Sequence, residues 1–205
     1  GVPADLAPFI VCSREACTEA VVKNPKVDAI GLTGSTQAGI QMMKDAADCL
    51  KPMFLELGGN DPFVIFADAD LDEAVEEMIG GRLFNTGQTC CAPKRFIVER
   101  PIIGELTEKL IARLRTVVRG DVLDPRTEIS TLISESAAVT VEKQVQNAVA
   151  EGAAVAFGGV REGAYYAPTV LTGVTKDMSI AKDDEIFGPV FPMIAFDTEE
   201  EAVEI

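Results

Sequence analysis

Histidine is absent from all 205 residues, and this narrows the available chemistry more than any residue that is present. A thiol nucleophile usually depends on an imidazole to take its proton and later to activate water. Any cysteine chemistry in this chain therefore needs a different base. The usual structural zinc patterns fall with histidine, and no Cys-x-x-Cys pair occurs to form a redox dithiol. Basic charge is scarce as well: 18 Lys and Arg stand against 33 Asp and Glu, a formal net of −15. Such a chain repels phosphate backbones and anionic membrane surfaces, which excludes nucleic acid as a general partner. Long apolar runs are missing too, and nothing approaches the roughly 18–20 residues that a membrane span requires. The start bears no signal-peptide pattern, and the five cysteines are odd in number and irregularly spaced. A cytoplasmic, reducing setting is expected. The acidic runs at 68–77 and 199–201 read as solvated helix faces, and no metal site is expected.

What is present is a regular alternation of short apolar strands and helix-period segments. Strands are expected at Val27–Leu32, Met53–Leu55, Phe63–Phe66, Arg95–Glu99, Ala153–Phe157, Tyr165–Val170 and Val190–Phe196. Between them fall helices over Gln37–Leu50, with Ile40, Met43, Ala47 and Leu50 inward, and from an Asp70 N-cap to about Phe84. A third follows Pro101, with Ile103, Leu106, Leu110, Leu114 and Val117 at helical spacing, and a fourth covers Glu135–Glu151. The alternation predicts an α/β fold with mainly parallel sheets.

The one break in composition is Gly58-Gly59-Asn60-Asp61-Pro62, where a flexible pair meets a rigid turn. It divides the chain into 1–57 and 58–205 and places Glu56 at the seam. Gly1 stands where a methionine would start a chain, and Thr198-Glu199-Glu200-Glu201 opens a helix only a few residues before the end. These features lead to the expectation that the sequence is a piece of a longer protein.

Chemistry concentrates in three places. Phe84-Asn85-Thr86-Gly87-Gln88-Thr89-Cys90-Cys91-Ala92 puts two cysteines on a loop between a helix and a strand, where reactive groups commonly sit. On position alone, two buried small hydrophobes are the favoured reading. A free thiol with a pKa of about 8.5 is only a few per cent ionised at neutral pH. Lys94, Arg95, a helix N-terminus or a carboxylate can each assist it, and Glu56 in Leu55-Glu56-Leu57-Gly58-Gly59 is the candidate base. The strand-to-helix turn Leu32-Thr33-Gly34-Ser35-Thr36-Gln37-Ala38-Gly39 can offer backbone N–H groups and hydroxyls to a phosphate, and read alone a tight connecting turn is at least as good a reading. It lacks both Gly-Lys-Ser/Thr and Gly-x-Gly-x-x-Gly, so it is neither a P-loop nor an ordinary dinucleotide fingerprint.

Taken together, Leu32-Thr33-Gly34-Ser35-Thr36 with Gly39, Leu55-Glu56-Leu57-Gly58-Gly59, Asn85-Thr86-Gly87-Gln88-Thr89-Cys90 with Ala92, and Glu185-Ile186-Phe187-Gly188-Pro189-Val190 closely resemble the NAD(P)-dependent aldehyde dehydrogenases, in that family's order. The resemblance runs over essentially the whole chain. It implies a three-layer, parallel-sheet catalytic domain over 58–205, carrying the thiol and cut short at its C-terminal end, with the edge of a Rossmann-like cofactor domain over 1–57. It implies Cys90 as nucleophile with Cys91 only its neighbour, and Glu56 as general base. Gly34, Ser35, Leu57, Glu185 and Phe187 would lie along NAD or NADP. It further implies an aldehyde substrate and a homo-oligomeric parent. Asn60-Asp61-Pro62-Phe63 and Lys94-Arg95-Phe96-Ile97-Val98 look most like bacterial succinate-semialdehyde dehydrogenases, which makes succinate semialdehyde the expected substrate. Asn60 stands where a lysine is commonest in the wider family, and Ala92 stands where some relatives carry a second switch cysteine.

Two other readings share these residues. A thioester-forming acyltransferase or phosphate-linked semialdehyde reductase on the same fold must keep water from the thioester, and Glu56 argues against it. Alternatively, the 205 residues form a catalytically incompetent piece, since the family's asparagine oxyanion donor and the segments that read the adenosine ribose have no counterpart in this sequence.

Overall fold

The computed structural model describes residue 3, residues 6–182 and residues 184–205. The chain forms two compact units, Gly1–Gly58 and Gly59–Ile205.

In the first unit, Ser13 caps α1 (Arg14–Cys17) by accepting the Ala16 N–H, and the helix continues as a π-turn over Thr18–Val22. Strand β1 (Ile30–Thr33), helix α2 (Thr36–Ala46) and strand β2 (Met53–Glu56) follow. The strands are parallel, with Ile30 opposite Met53 and Thr33 opposite Glu56. A small core of Val22, Ile30 and Ala46, backed by Val27, Met42 and Met53, holds the unit together.

The expected inward face of α2 is corrected. Ile40, Met43 and Leu50 are exposed, and the buried side carries Gly39, Met42 and Ala46. Both stripes recur at helical spacing, so periodicity cannot choose between them. Glycine does: the Leu57 side chain lies 2.9 Å from where a Cβ on residue 39 would stand, so only this face admits Leu57. Leu50 is not part of α2 but closes a short 3₁₀ turn in the left-handed conformation, φ 49°.

The second unit is built on a five-stranded sheet in the order β3-β4-β9-β8-β5. Its strands are β3 (Pro62–Ile65), β4 (Arg95–Glu99), β5 (Ala154–Phe157), β8 (Thr169–Val174) and β9 (Val190–Phe196). All pairings are parallel except β5 with β8. The expected strand Tyr165–Val170 is divided at Ala167-Pro168. Its first part is β7 (Tyr165–Tyr166), paired with β6 (Arg161–Glu162) in a small hairpin, and the rest opens β8. Proline supplies no ladder donor, which accounts for the break.

Helices cover both faces. α3 (Leu71–Leu83) and α4 (Ile103–Leu114) pack with Phe96, Val98, Val170, Phe191 and Met193 in one core. α5 (Glu135–Ala150) and α6 (Ser179–Lys182) pack with Leu171, Val174, Val190 and Ile194 in the other. Along β9, Val190 and Phe191 therefore face opposite layers, as the two-residue strand period requires. Phe191 stacks on Phe96 with ring centroids 5.2 Å apart, tying two neighbouring strands in the α3/α4 layer. α7 (Glu199–Glu204) starts at Thr198, whose hydroxyl accepts the Glu201 N–H, and Glu201 reaches back to the Asp197 N–H. Among the described residues, no helix is long and apolar enough to cross a membrane.

This topology gathers three loops. β3, β4 and β9 are adjacent and parallel, so the segments entering their amino ends lie side by side: Gly59–Asp61, Cys90–Lys94 and Glu185–Pro189.

Candidate active site

α3 delivers the thiol loop. Asp70 caps this helix through Oδ1, which accepts the Asp72 and Glu73 N–H groups at 2.9 and 3.2 Å. After Leu83 the chain leaves the helix through three residues with positive φ, Asn85 (49°), Thr86 (57°) and Gly87 (76°). Gln88 locks the reversal, donating to the Asn85 carbonyl at 3.0 Å and accepting the Ile133 N–H at 2.8 Å. Cys90 and Cys91 follow in a turn, and both are free and exposed. The buried-hydrophobe reading of the two cysteines is therefore set aside.

Gly87 fixes where this loop sits. A Cβ there would stand 2.5 Å from the Gly188 carbonyl oxygen and 2.6 Å from its carbon. The backbone leading to Cys90 thus lies directly on Gly188. Gly188 is held from its other side by α5, where a Cβ would meet Val141 at 2.7 Å. Phe187 is 40% exposed, whereas Ile186 is buried and anchors the segment in the α5/α6 core.

Two buried cations brace the arrangement. Arg82, fully buried on α3, donates to the Val190 carbonyl through Nε and to the Ile186 carbonyl through Nη2, each at 2.8 Å. Burial pushes its guanidinium down to about 9, opposed by the nearby Glu185 carboxylate, so it stays charged at neutral pH. Lys94 Nζ donates to the carbonyls of Cys90 (2.5 Å) and Ala92 (3.0 Å) and to Asp61 Oδ2 (3.1 Å). Glu185 Oε1 stands 3.7 Å from the same ammonium and accepts the Gly59 N–H at 3.2 Å. Arg95, the other cation beside the thiol in sequence, bonds instead to the carbonyls of Asn60 and Ile205.

From the sequence, Lys94 is only one of several groups able to assist the thiol, and Arg82 is not among them. Arg82 left a signal, a lone cation on the buried stripe Val75, Met78, Ile79, Leu83 of α3. Lys94 left only its closeness to Cys90.

The remaining candidates lie in the first unit, at the carboxyl ends of β1 and β2. Glu56 is exposed as the last residue of β2, and its carbonyl accepts the Gly34 N–H at 3.0 Å. Ser35 caps α2 through Oγ, which accepts the Ala38 N–H at 3.2 Å. The N–H groups of Thr36 and Gln37 belong to the first helical turn, without intrahelical acceptors, on an exposed surface. Beside them a mainly apolar cavity of about 200 Å³ runs between α1 and α2, lined by Cys17, Leu32, Ala38, Gln41 and Met42 among others. Leu57 is half-buried and spends its side chain on Gly39 of α2. The structure thus groups Gly34, Ser35 and Glu56 in one unit and Cys90, Glu185 and Phe187 in the other. Among the described residues, no cluster of three or more potential metal ligands occurs.

The first unit thus presents an exposed helix N-terminus after β1, and the second an exposed thiol on a loop seated against Gly188. The model of the aldehyde dehydrogenase family matches residues 1–205, and the chain belongs to that family. It is 42% identical to the succinate-semialdehyde dehydrogenase [NADP(+)] of Mycobacterium leprae, over 100% of this chain and 45% of that protein. It superposes on the succinate-semialdehyde dehydrogenase from Burkholderia pseudomallei with a TM-score of 0.91 and 38% identity, covering 95% of this chain and 41% of that one. It also superposes on an NAD-dependent aldehyde dehydrogenase from Sinorhizobium meliloti at a TM-score of 0.86 and 42% identity, covering 91% and 38%. The chain spans less than half the length of each of these relatives.

Proposed function

We propose that this chain carries the nucleophile and base of an NAD(P)⁺-dependent aldehyde dehydrogenase that oxidises a small aldehyde, succinate semialdehyde, to its carboxylic acid. The observation that carries the proposal is the exposed Cys90 on a loop seated against Gly188. Residues Gly1–Gly58 then represent the C-terminal edge of a cofactor domain and Gly59–Ile205 most of a catalytic domain.

The residues present suit the dinucleotide. The open N-terminus of α2, with Gly34 and Ser35, would hold the pyrophosphate. The apolar cavity alongside α2 has the character of an adenine slot. Glu185 and Phe187 would meet the nicotinamide end, and Leu57 would support α2 from behind. When bound, NAD(P)⁺ supplies the hydride acceptor.

The Cys90 thiolate adds through Sγ to the aldehyde carbon, and the oxygen that becomes negative takes a hydrogen bond from the Cys90 N–H. Loss of hydride from that carbon leaves a thioester on Cys90. Glu56 accepts a proton from water, the resulting hydroxide attacks the thioester carbonyl, and the C–S bond breaks to release the acid and the thiolate. No step asks for an imidazole. An exposed carboxylate at position 56 also favours hydrolysis over acyl transfer.

The test uses the full-length enzyme with succinate semialdehyde and other aldehydes, each with NAD⁺ and NADP⁺. Cys90→Ala is expected to abolish dehydrogenase and esterase activity, while Cys91→Ala retains most of both. Equal loss from the two variants overturns the nucleophile assignment, and a flat aldehyde profile overturns the substrate.

A further inference from the structure

Three segments of the second unit converge on a single ammonium. Lys94 is 1% exposed, and its three donors meet three acceptors: the Cys90 carbonyl, the Ala92 carbonyl and Asp61 Oδ2. A lysine ammonium has three protons to give, so this set is complete, and Glu185 at 3.7 Å adds attraction without needing a fourth. Among the described residues, the backbone of the turn bearing the thiol makes one bond of its own, 3.4 Å from the Ala92 N–H to the Thr89 carbonyl, and both cysteines are exposed. The 2.5 Å contact to the Cys90 carbonyl is therefore the strongest restraint on that residue, and it is charge-assisted. It falls on Cys90 and not on Cys91.

We propose that Lys94 is a positioning residue for the reaction, its buried ammonium clamping the carbonyl of the nucleophile itself and joining the thiol turn to Asp61 at the head of β3 and to Glu185 at the head of β9. The inference rests on Cys90 being the nucleophile. The ammonium does not touch the substrate. It removes the freedom of the turn, so that Sγ is presented in one place relative to the Glu185–Gly188 segment. A guanidinium keeps the charge but spreads its donors in a planar fork, which fits three converging acceptors poorly.

The test is rapid mixing of the full-length enzyme with saturating aldehyde and cofactor, following the first-turnover formation of reduced cofactor. Cys90→Ala comes first: a surviving burst there rejects the nucleophile assignment itself, independently of Lys94. Given an intact assignment, Lys94→Met is expected to slow the burst about 100-fold, the loss that a displacement of about 1 Å produces. The KM values for aldehyde and cofactor should stay unchanged, and Lys94→Arg should fall between Met and wild type. Asp61 is half exposed and its replacement is less disruptive. Asp61→Asn is expected to slow the burst several-fold with the same unchanged KM, and it decides the matter if the Met variant does not fold. A wild-type burst in folded Lys94→Met, a loss carried by KM, or a wild-type burst in Asp61→Asn when the Met variant fails to fold overturns the proposal.

Discussion

Replacing Gly87 by alanine puts a methyl group where the backbone of Gly188 already stands. The new Cβ would lie 2.5 Å from the Gly188 oxygen, 2.6 Å from its carbon and 3.0 Å from the Arg82 oxygen, all of them backbone atoms that cannot swing aside. The residue would also have to hold a φ of +76°. The left-handed conformation costs a non-glycine residue about 1–2 kcal/mol, and overpacking adds about 1–3 kcal/mol. The expected loss is the sum, about 2–5 kcal/mol. Gly163 provides the control, because it too has a positive φ (+60°) but meets nothing within 4 Å. Gly163→Ala should show the conformational cost alone. Both tyrosines, Tyr165 and Tyr166, lie in the second unit, and there is no tryptophan, so tyrosine emission during urea unfolding reports on that unit. With a urea slope of about 2 kcal/mol per molar, Gly87→Ala should lower the midpoint by about 1–2.5 M and Gly163→Ala by about 0.5–1 M. Equal losses in the two variants would refute the seating of the thiol loop on Gly188.

Glu56→Gln in the full-length enzyme should preserve the first-turnover burst and slow steady turnover by about 100-fold or more, because acylation precedes the step that needs the base. Loss of the burst with cofactor still bound would give Glu56 an earlier role. Asp70→Ala removes two capping bonds from α3 and should cost about 0.5–2 kcal/mol in the same urea assay, whereas an unchanged midpoint would mean the cap is dispensable. Arg113, together with the Val118 N–H, holds the Glu128 carboxyl below its ordinary 4.5. A depressed carboxyl stabilises the fold above the unfolded value, and that contribution is lost as the pH falls through the lower folded value. Stability should therefore fall on acidification below about pH 4.5, and Glu128→Gln should flatten the fall. Parallel pH profiles for the two proteins would remove Glu128 from the account.

Local signals carried much of the fold, and their failures are instructive. The strand-helix alternation yielded the parallel sheet because β-branched and aromatic runs report burial directly. Asp70 and Thr198 marked helix starts because a capping bond is made within a few residues. The face of α2 was misread because two apolar stripes share one period and only Leu57, brought against Gly39, chooses between them. Lys94 passed as one of several cations near a thiol. Its distinction from Arg95 is where each side chain goes: one into the turn beneath Cys90, the other to Asn60 and Ile205.

The sequence by itself determined which chemistry is open to this protein. Without histidine, a thiol, a carboxylate and a strand-to-helix turn were the groups left for chemistry, and the aldehyde dehydrogenase family model matches the whole chain. Only the tertiary structure decided how the thiol is held. The parallel order of β3, β4 and β9 brings together loops more than 90 residues apart, Gly59–Asp61 and Cys90–Lys94 with Glu185–Pro189. A buried ammonium and a glycine-on-glycine contact then set their spacing, and both depend on distances that arise once the sheet is formed.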